Sequence, residues 1–263
     1  MDPLVKIITG YSEKGGSTSA LIKLTNELND NNITTVMYGP HEFHLNKCRS
    51  KLMRDLKVYE NDTLITHFLQ LPRRPAVKRI VLSCHEKWWF KVGNIKQHWD
   101  KVIFLHNEHR KYHKEYKGEF EIIPNLKPAL LKKEKPELDL IAGIIGSIED
   151  RKQTHISIER ALKDNCVQVK LFGAISDQNY FNQYVKPLLS DKVIHVGFSE
   201  SLQSMYDSIG RVYHSSKGEV ACLVKDECYL TNTKFFGGIE TENEVSTLSN
   251  EQIINKWKEV LEL

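Results

Sequence analysis

The strongest constraint on the fold is a repeated unit: a short apolar run, a turn of polar or glycine residues, then a helical segment. Leu4–Ile8, Ile33–Tyr38, Thr63–Thr66, Arg79–Ser83 and Lys101–Leu105 each read as a short strand. Asp139–Ile145 begins a second series, and Thr233–Gly238 ends its last strand-like segment. Leu21, Leu24 and Leu28 recur at helical spacing after the first strand. Ile253, Ile254, Trp257, Val260 and Leu261 do so at the end of the chain, after a Ser249-x-x-Gln252 capping box. Strands that alternate with helices form parallel sheets, which place ligands at the carboxyl ends of their strands.

The 263 residues suffice for two small domains. Residues 131–137 are charged and bracketed by Pro128 and Pro136, as a linker would be. The expected domains are therefore 1–130 and 131–263, with the last helix able to return to the first. The net charge is only +3, but it is uneven. Residues 1–130 hold 21 Lys+Arg against 14 Asp+Glu, a balance of +7, which leaves 16 against 20, or −4, for the rest. The first domain thus suits an anionic partner: a phosphate-bearing lipid, a membrane surface or nucleic acid. A merely soluble surface accounts for the same charge. From Arg110 to Lys117, basic residues interleave with aromatic ones, a texture found both in nucleic-acid contacts and on solvated helix faces.

No apolar run reaches membrane-spanning length, and the first residues lead directly into a strand rather than a leader. The five cysteines are scattered, with no C-x-x-C pair. That pattern implies free thiols in a reducing compartment and no zinc. A cytoplasmic protein, at most peripheral to a membrane, is expected.

Two sets of residues stand out as chemistry. The first is Glu219 and Glu227, eight positions apart across Val220–Asp226, with Ser215-Ser216-Lys217-Gly218 leading in. The lead-in argues for a loop that enters a helix near Cys222, so Glu219 lies on the loop and Glu227 one to two turns into the helix. The amides of a helix start attract anions, and a carboxylate accepts from two adjacent hydroxyls at once. A diphosphate between two hydroxyl-bearing rings fits that spacing. Two solvated surface acids would give the same pattern. The second set follows the first strand, where Gly15-Gly16 opens a helix. Those glycines either let phosphate or acceptor approach the backbone or simply close a tight turn. His85, just past the fourth strand, is a candidate polar group at a strand end, with Trp88 and Trp89 following.

The Glu219–Glu227 stretch resembles the E-x7-E motif of retaining GT-B glycosyltransferases, the large family-4 group, and the resemblance runs through the second half. Leu140–Gly146 looks like that group's first donor-domain strand, and Arg151-Lys152 like its phosphate-binding pair. Lys170–Gly173 and Val193–Phe198 look like the next two strands. Ile123-Pro124-Asn125, Gly15-Gly16 and His85 match more thinly in the first half. Gln153 stands where the family has Gly, Val220-Ala221 where it has an aromatic and Gly, and Leu126-Lys127-Pro128 where it has Gly-Val-Asp.

The resemblance implies a GT-B fold, two Rossmann-like α/β domains facing across a cleft, and transfer of a sugar from a nucleoside diphosphate sugar with retention. Glu227 would hold the ribose and Glu219 the sugar. Arg151, Lys152 and the helix start at Cys222-Leu223 would hold the diphosphate. Phe198 would lie at the base and His85 at the sugar or acceptor. No cofactor is implied. The chain has no Asp-x-Asp pair to hold a divalent ion against the diphosphate, so no catalytic metal is expected. The acceptor is anionic or a glycan, with a lipid-linked glycan and modified DNA bases both fitting. A non-catalytic sugar-nucleotide or glycan binder on the same scaffold is the alternative.

Overall fold

The computed structural model describes residues 4–11, 15–42, 50–87, 98–134, 136–199, 201–238 and 245–263. Trp88, Trp89 and Cys48 lie outside them. The chain forms two compact units, one of residues 1–126 with 247–263 and one of residues 127–246.

The first unit carries a seven-stranded sheet in the order β3-β2-β1-β4-β5-β6-β7, every pairing parallel. In chain order the strands are β1 (Val5–Thr9), β2 (Thr35–Gly39), β3 (Ser50–Leu52), β4 (Thr63–His67), β5 (Arg79–Ser83), β6 (Lys101–Phe104) and β7 (Phe120–Ile122). The second unit carries five parallel strands, β10-β9-β8-β11-β12. These are β8 (Ile141–Ile145), β9 (Gln168–Phe172), β10 (Val193–Gly197), β11 (Arg211–Tyr213) and β12 (Lys234–Phe236). Both sheets reverse their winding direction beside the first strand, between β1 and β4 and between β8 and β11. Such a switch point is where an open α/β sheet leaves a crevice.

Burial on both faces explains the continuous apolar runs. In β1, Ile7 points to one face and Ile8 to the other. On the Ile7 face lies α1 (Gly16–Asp30), with Leu21, Leu24 and Leu28 buried. On the other face the apolar layer contains Leu64, Ile80, Leu82, Phe104 and Tyr116, with the short α2 (Asn107–Lys111) after β6. Lys6 of β1 is buried as well. It pairs with Asp62 at the head of β4 and donates to the Lys57 carbonyl at 2.6 Å.

In the second unit, α3 (Thr154–Lys163) buries Ile158 and Ala161 against β8 and β9. The one-turn α4 (Gln178–Tyr180) continues into π-helical turns through Val185. Then come α5 (Leu202–Asp207) and α6 (Leu223–Thr231). Ser201 caps α5 through its hydroxyl, which accepts from the Ser204 amide three residues on. Residues 127–134, read from sequence in part as linker, belong to the second unit. Leu131 donates to Gln203 at 2.7 Å, and Lys133 pairs with Asp207 at 2.5 Å.

The last helix, α7 (Asn250–Leu261), opens with the complete Ser249–Gln252 capping box. Its buried stripe joins the α1 layer of the first unit, so the chain end completes that core. Trp257→Ala should therefore cost the first unit about 3–5 kcal/mol, measured by urea unfolding, whereas Asn255→Ala on the exposed face should stay within about 0.5 kcal/mol.

Candidate functional site

Strand β8 ends at Gly146, which adopts φ +133°. Gly173 at the end of β9 adopts φ +146°, and a Cβ there would collide with the Gly146 carbonyl. The two glycines let neighbouring strand ends come together so that the loop after β8 can turn back over the sheet. That loop runs through a tight turn at Asp150–Lys152 and enters α3 through Gln153, at φ 51°. The left-handed conformation favours glycine. Gln153 occupies the position where the resembling family has Gly, and its side-chain amide donates to the Asp150 carbonyl at 2.7 Å.

Strand β11, across the switch point, delivers His214 and the Ser215–Gly218 loop. The two loops are stitched together. Lys217 N donates to the Arg151 carbonyl at 2.9 Å, and Arg151 Nη1 donates to the Gly218 carbonyl at 3.1 Å. Lys217 Nζ pairs with Asp150 at 2.7 Å. At the centre of this stitch lies Glu219. Its Oε1 lies 2.6 Å from Lys152 Nζ, 3.0 Å from His214 Nε2 and 3.8 Å from Arg151 Nη1. Glu219 and Lys152 are mostly buried, and Arg151 remains half exposed. The structure thus brings together Arg151, Lys152 and Glu219, three residues singled out in the sequence.

The remaining donor-side candidates follow at once. Cys222 stands as the N-cap of α6 and offers no side-chain hydrogen bond, so Leu223 and its neighbours start the helix without a side-chain cap. Burial, with the Glu219 charge adding to it, pushes the Cys222 thiol up to about 12. That thiol stays protonated beside the helix start. Glu227 lies one turn into α6, and Tyr206 donates to its Oε2 at 2.8 Å. Phe198, just past β10, is 79% exposed.

In the first unit, Gly15 caps α1 in an extended conformation and Gly16 is its first residue, with neither a side-chain cap nor an acidic residue in the first turn. His85, just past β5, is 3.1 Å from Ser83 Oγ and stacks edge-on with His67 at 5.1 Å. It lines a small cavity with Ala20, Leu105 and Pro124. Burial, and secondly His67 and His109, hold His85 well below the usual histidine range, so it is neutral at pH 7. The basic stretch from Arg110 to Lys117 is only in part a solvated face. His113 and Tyr116 are buried, and Arg110 donates to the carbonyls of both, at 2.6 and 3.0 Å.

Sequence reading missed several residues. His214 and Tyr206 hold the two glutamates, and Arg160 reaches back from α3 to Ser215 Oγ at 3.0 Å. His214 directly follows an apolar strand, and that position was its only local signal. Asp226 is raised to about 6 by burial, against the pull of Lys127 and Lys225. The four described cysteines are buried free thiols. No helix among the described residues is long and apolar enough to cross a membrane.

Neither a family model nor a curated protein matches the sequence. Solved structures do match the fold. Anabaena HepE in complex with UDP-glucose aligns over 96% of this chain and 89% of its own, at 14% identity and a TM-score of 0.71. Sucrose-phosphate synthase from Thermosynechococcus elongatus aligns over 99% and 90%, at 14% identity and 0.71. WaaG, a glycosyltransferase involved in lipopolysaccharide biosynthesis, aligns over 99% and 90%, at 12% identity and 0.66. The chain has the GT-B fold.

The site makes one electrostatic prediction. Burial pushes the Glu219 pKa up. The His214 hydrogen bond and the Lys152 ammonium overcome that and bring it down to about 2. The unfolded value is about 4.3. The ionised carboxylate therefore stabilises the fold above that value, and the benefit is lost as pH falls from about 4.5 to 2. Wild type should exceed Glu219→Gln by about 3 kcal/mol at pH 7. Urea unfolding should show the gap closing toward pH 2.5. A gap independent of pH would mean that the charge is not what matters.

Proposed function

We propose that the chain transfers a sugar from a nucleoside diphosphate sugar to an acceptor hydroxyl, with retention at the anomeric carbon and without a divalent ion at the diphosphate. The observation that carries the reading is the convergence at one switch point of the Lys152–Glu219–His214 cluster, the Arg151 guanidinium and the uncapped start of α6. Together they supply two cations and a set of backbone donors for a diphosphate, with a carboxylate on either side.

In this reading the pyrophosphate takes the start of α6, with Arg151 and Lys152 beside it. Cationic and backbone donors aimed at a leaving diphosphate stabilise the charge that develops there, an effect worth roughly 100- to 1000-fold in rate. Glu227, oriented by Tyr206, accepts from the two ribose hydroxyls, and Glu219 accepts from hydroxyls of the transferred sugar. Lys152 then exchanges part of its contact with Glu219 for phosphate. Phe198 lies at the end of β10, the strand end that the resemblance assigns to the base. His85, being neutral, can donate to or accept from a hydroxyl of sugar or acceptor, a role resting on the resemblance.

Retention is written most economically as a front-face step. The bond from C1 to the phosphate oxygen breaks and the bond from C1 to the acceptor oxygen forms on the same face. The acceptor proton passes to the leaving phosphate oxygen, so no protein base is required. HepE was crystallised with UDP-glucose, which makes uridine nucleotides the first donors to try.

The test is thermal stability against UDP, GDP, ADP and their sugars, with and without magnesium. One base should stabilise the protein by about 2.7 kcal/mol at a hundredfold excess over Kd. That shift should be indifferent to magnesium and absent in Glu227→Ala. Lys152→Ala should lower kcat by 100-fold or more while the protein stays folded, and the product anomer should match the donor. Absence of a shift with every nucleotide would overturn the reading.

A further inference from the structure

The first unit gathers three buried side chains that the proposed reaction does not use. Cys84 follows β5, its amide bonded to the Ile103 carbonyl at 3.0 Å. His109 lies in α2, and His113 is four residues further on. That spacing brings two side chains to one face of helical backbone. All three are fully buried, and one ligand atom from each lies within 4.8 Å of the others.

The separations have the form of a coordination shell. His109 Nε2 and His113 Nε2 are 3.3 Å apart, and Cys84 Sγ is 3.9 and 3.7 Å from them. A tetrahedral ion with metal–nitrogen bonds of about 2.05 Å and a metal–sulfur bond of about 2.3 Å would set those edges at about 3.4 and 3.6 Å. The Glu86 carbonyl oxygen closes the figure. It lies 3.0 and 2.6 Å from the two imidazoles and 3.6 Å from the sulfur. The Phe104 ring stacks on His113 at 5.2 Å and meets His109 edge-on at 5.4 Å, which fixes both ring planes.

We infer that Cys84, His109 and His113 form a binding site for a zinc-type divalent cation that pins the end of β5 to α2. One thiolate and two imidazoles are the soft and borderline donors that select zinc over magnesium or calcium. The Glu86 carbonyl or a water takes the fourth position. Loading releases the Cys84 proton and leaves each imidazole with its one proton on Nδ1, so that Nε2 bonds the ion. For His109 that changes a present contact. Its Nδ1 now accepts from the Leu105 amide at 3.2 Å, and this bond gives way as the ring turns toward the ion. One backbone hydrogen bond is a small loss against three simultaneous metal bonds.

The ion is structural in this proposal. It holds the Cys84–Glu86 segment that carries His85, and none of its ligands is among the residues proposed for the diphosphate. The inference therefore stands independently of the reading of the donor site. The neutral alternative is that both imidazoles donate to the Glu86 carbonyl, with no ion involved.

The experiment is elemental analysis of the full chain without a histidine tag, as isolated and after incubation with zinc chloride and desalting. About one zinc per chain is expected, falling to background in Cys84→Ser and in His113→Gln and unchanged in Cys166→Ser. Cobalt loading of the native protein gives a second readout that needs no variant: a thiolate-to-cobalt charge-transfer band, which only a cysteine ligand produces. Background metal in wild type both before and after zinc loading, or a cobalt complex without that band, overturns the inference. So does metal retained in full by both ligand variants.

Discussion

The second unit is organised around a single carboxylate oxygen. Glu219 Oε1 is shared by Lys152 from the loop after β8 and His214 from the end of β11, with Arg151 just beyond. Those loops leave the paired parallel strands β8 and β11 at the point where the sheet changes winding direction, and the shared carboxylate ties them beyond the last strand hydrogen bonds. A mostly buried acid among cations is expensive to break, because the partner left behind keeps its desolvation cost. These contacts therefore tie the two loops to each other, in the charge pattern proposed above for a diphosphate. Lys152 supplies both the structural contact and the proposed catalytic one.

Much of this was legible in the sequence because parallel α/β architecture writes itself in local terms. The apolar runs of β1, β4, β5, β6 and β8 and the stripes of α1 and α7 follow from period and composition, and their ends from glycine and capping residues. The edge strands β3 and β7 were missed. They are three residues long and lie half-buried or exposed, so they lack the apolar signal. The Arg110–Lys117 texture was legible only in part, for a related reason. Charge and aromaticity are visible in sequence, but the burial of His113 and Tyr116, with Arg110 across their carbonyls, is a tertiary fact.

The candidate residues divide in the same way. Arg151, Lys152, Glu219, Glu227 and the α6 start were named on a resemblance whose motifs are confined to two loops and one helix. His214 and Tyr206 are bound to those glutamates across the unit, and sequence separation hides such pairs. Cys84, His109 and His113 were hidden more deeply. The i, i+4 histidines sit in a stretch that looked like a basic surface, and a lone cysteine at a strand end carries no pattern.

Gln153 shows what the fold demands of the loop after β8. Its left-handed backbone is a conformation that glycine adopts freely and other residues adopt at a cost, yet the chain keeps a side chain there. The amide of that side chain donates to the Asp150 carbonyl, and the Asp150 carboxylate is tied in turn to Lys217 of the opposing loop. Glutamine at this position thus carries local strain while adding a bond to the turn that bears Arg151 and Lys152. The backbone conformation is set by the need to bring two cations to one carboxylate, and more than one residue type can satisfy it once a side-chain bond offsets the strain.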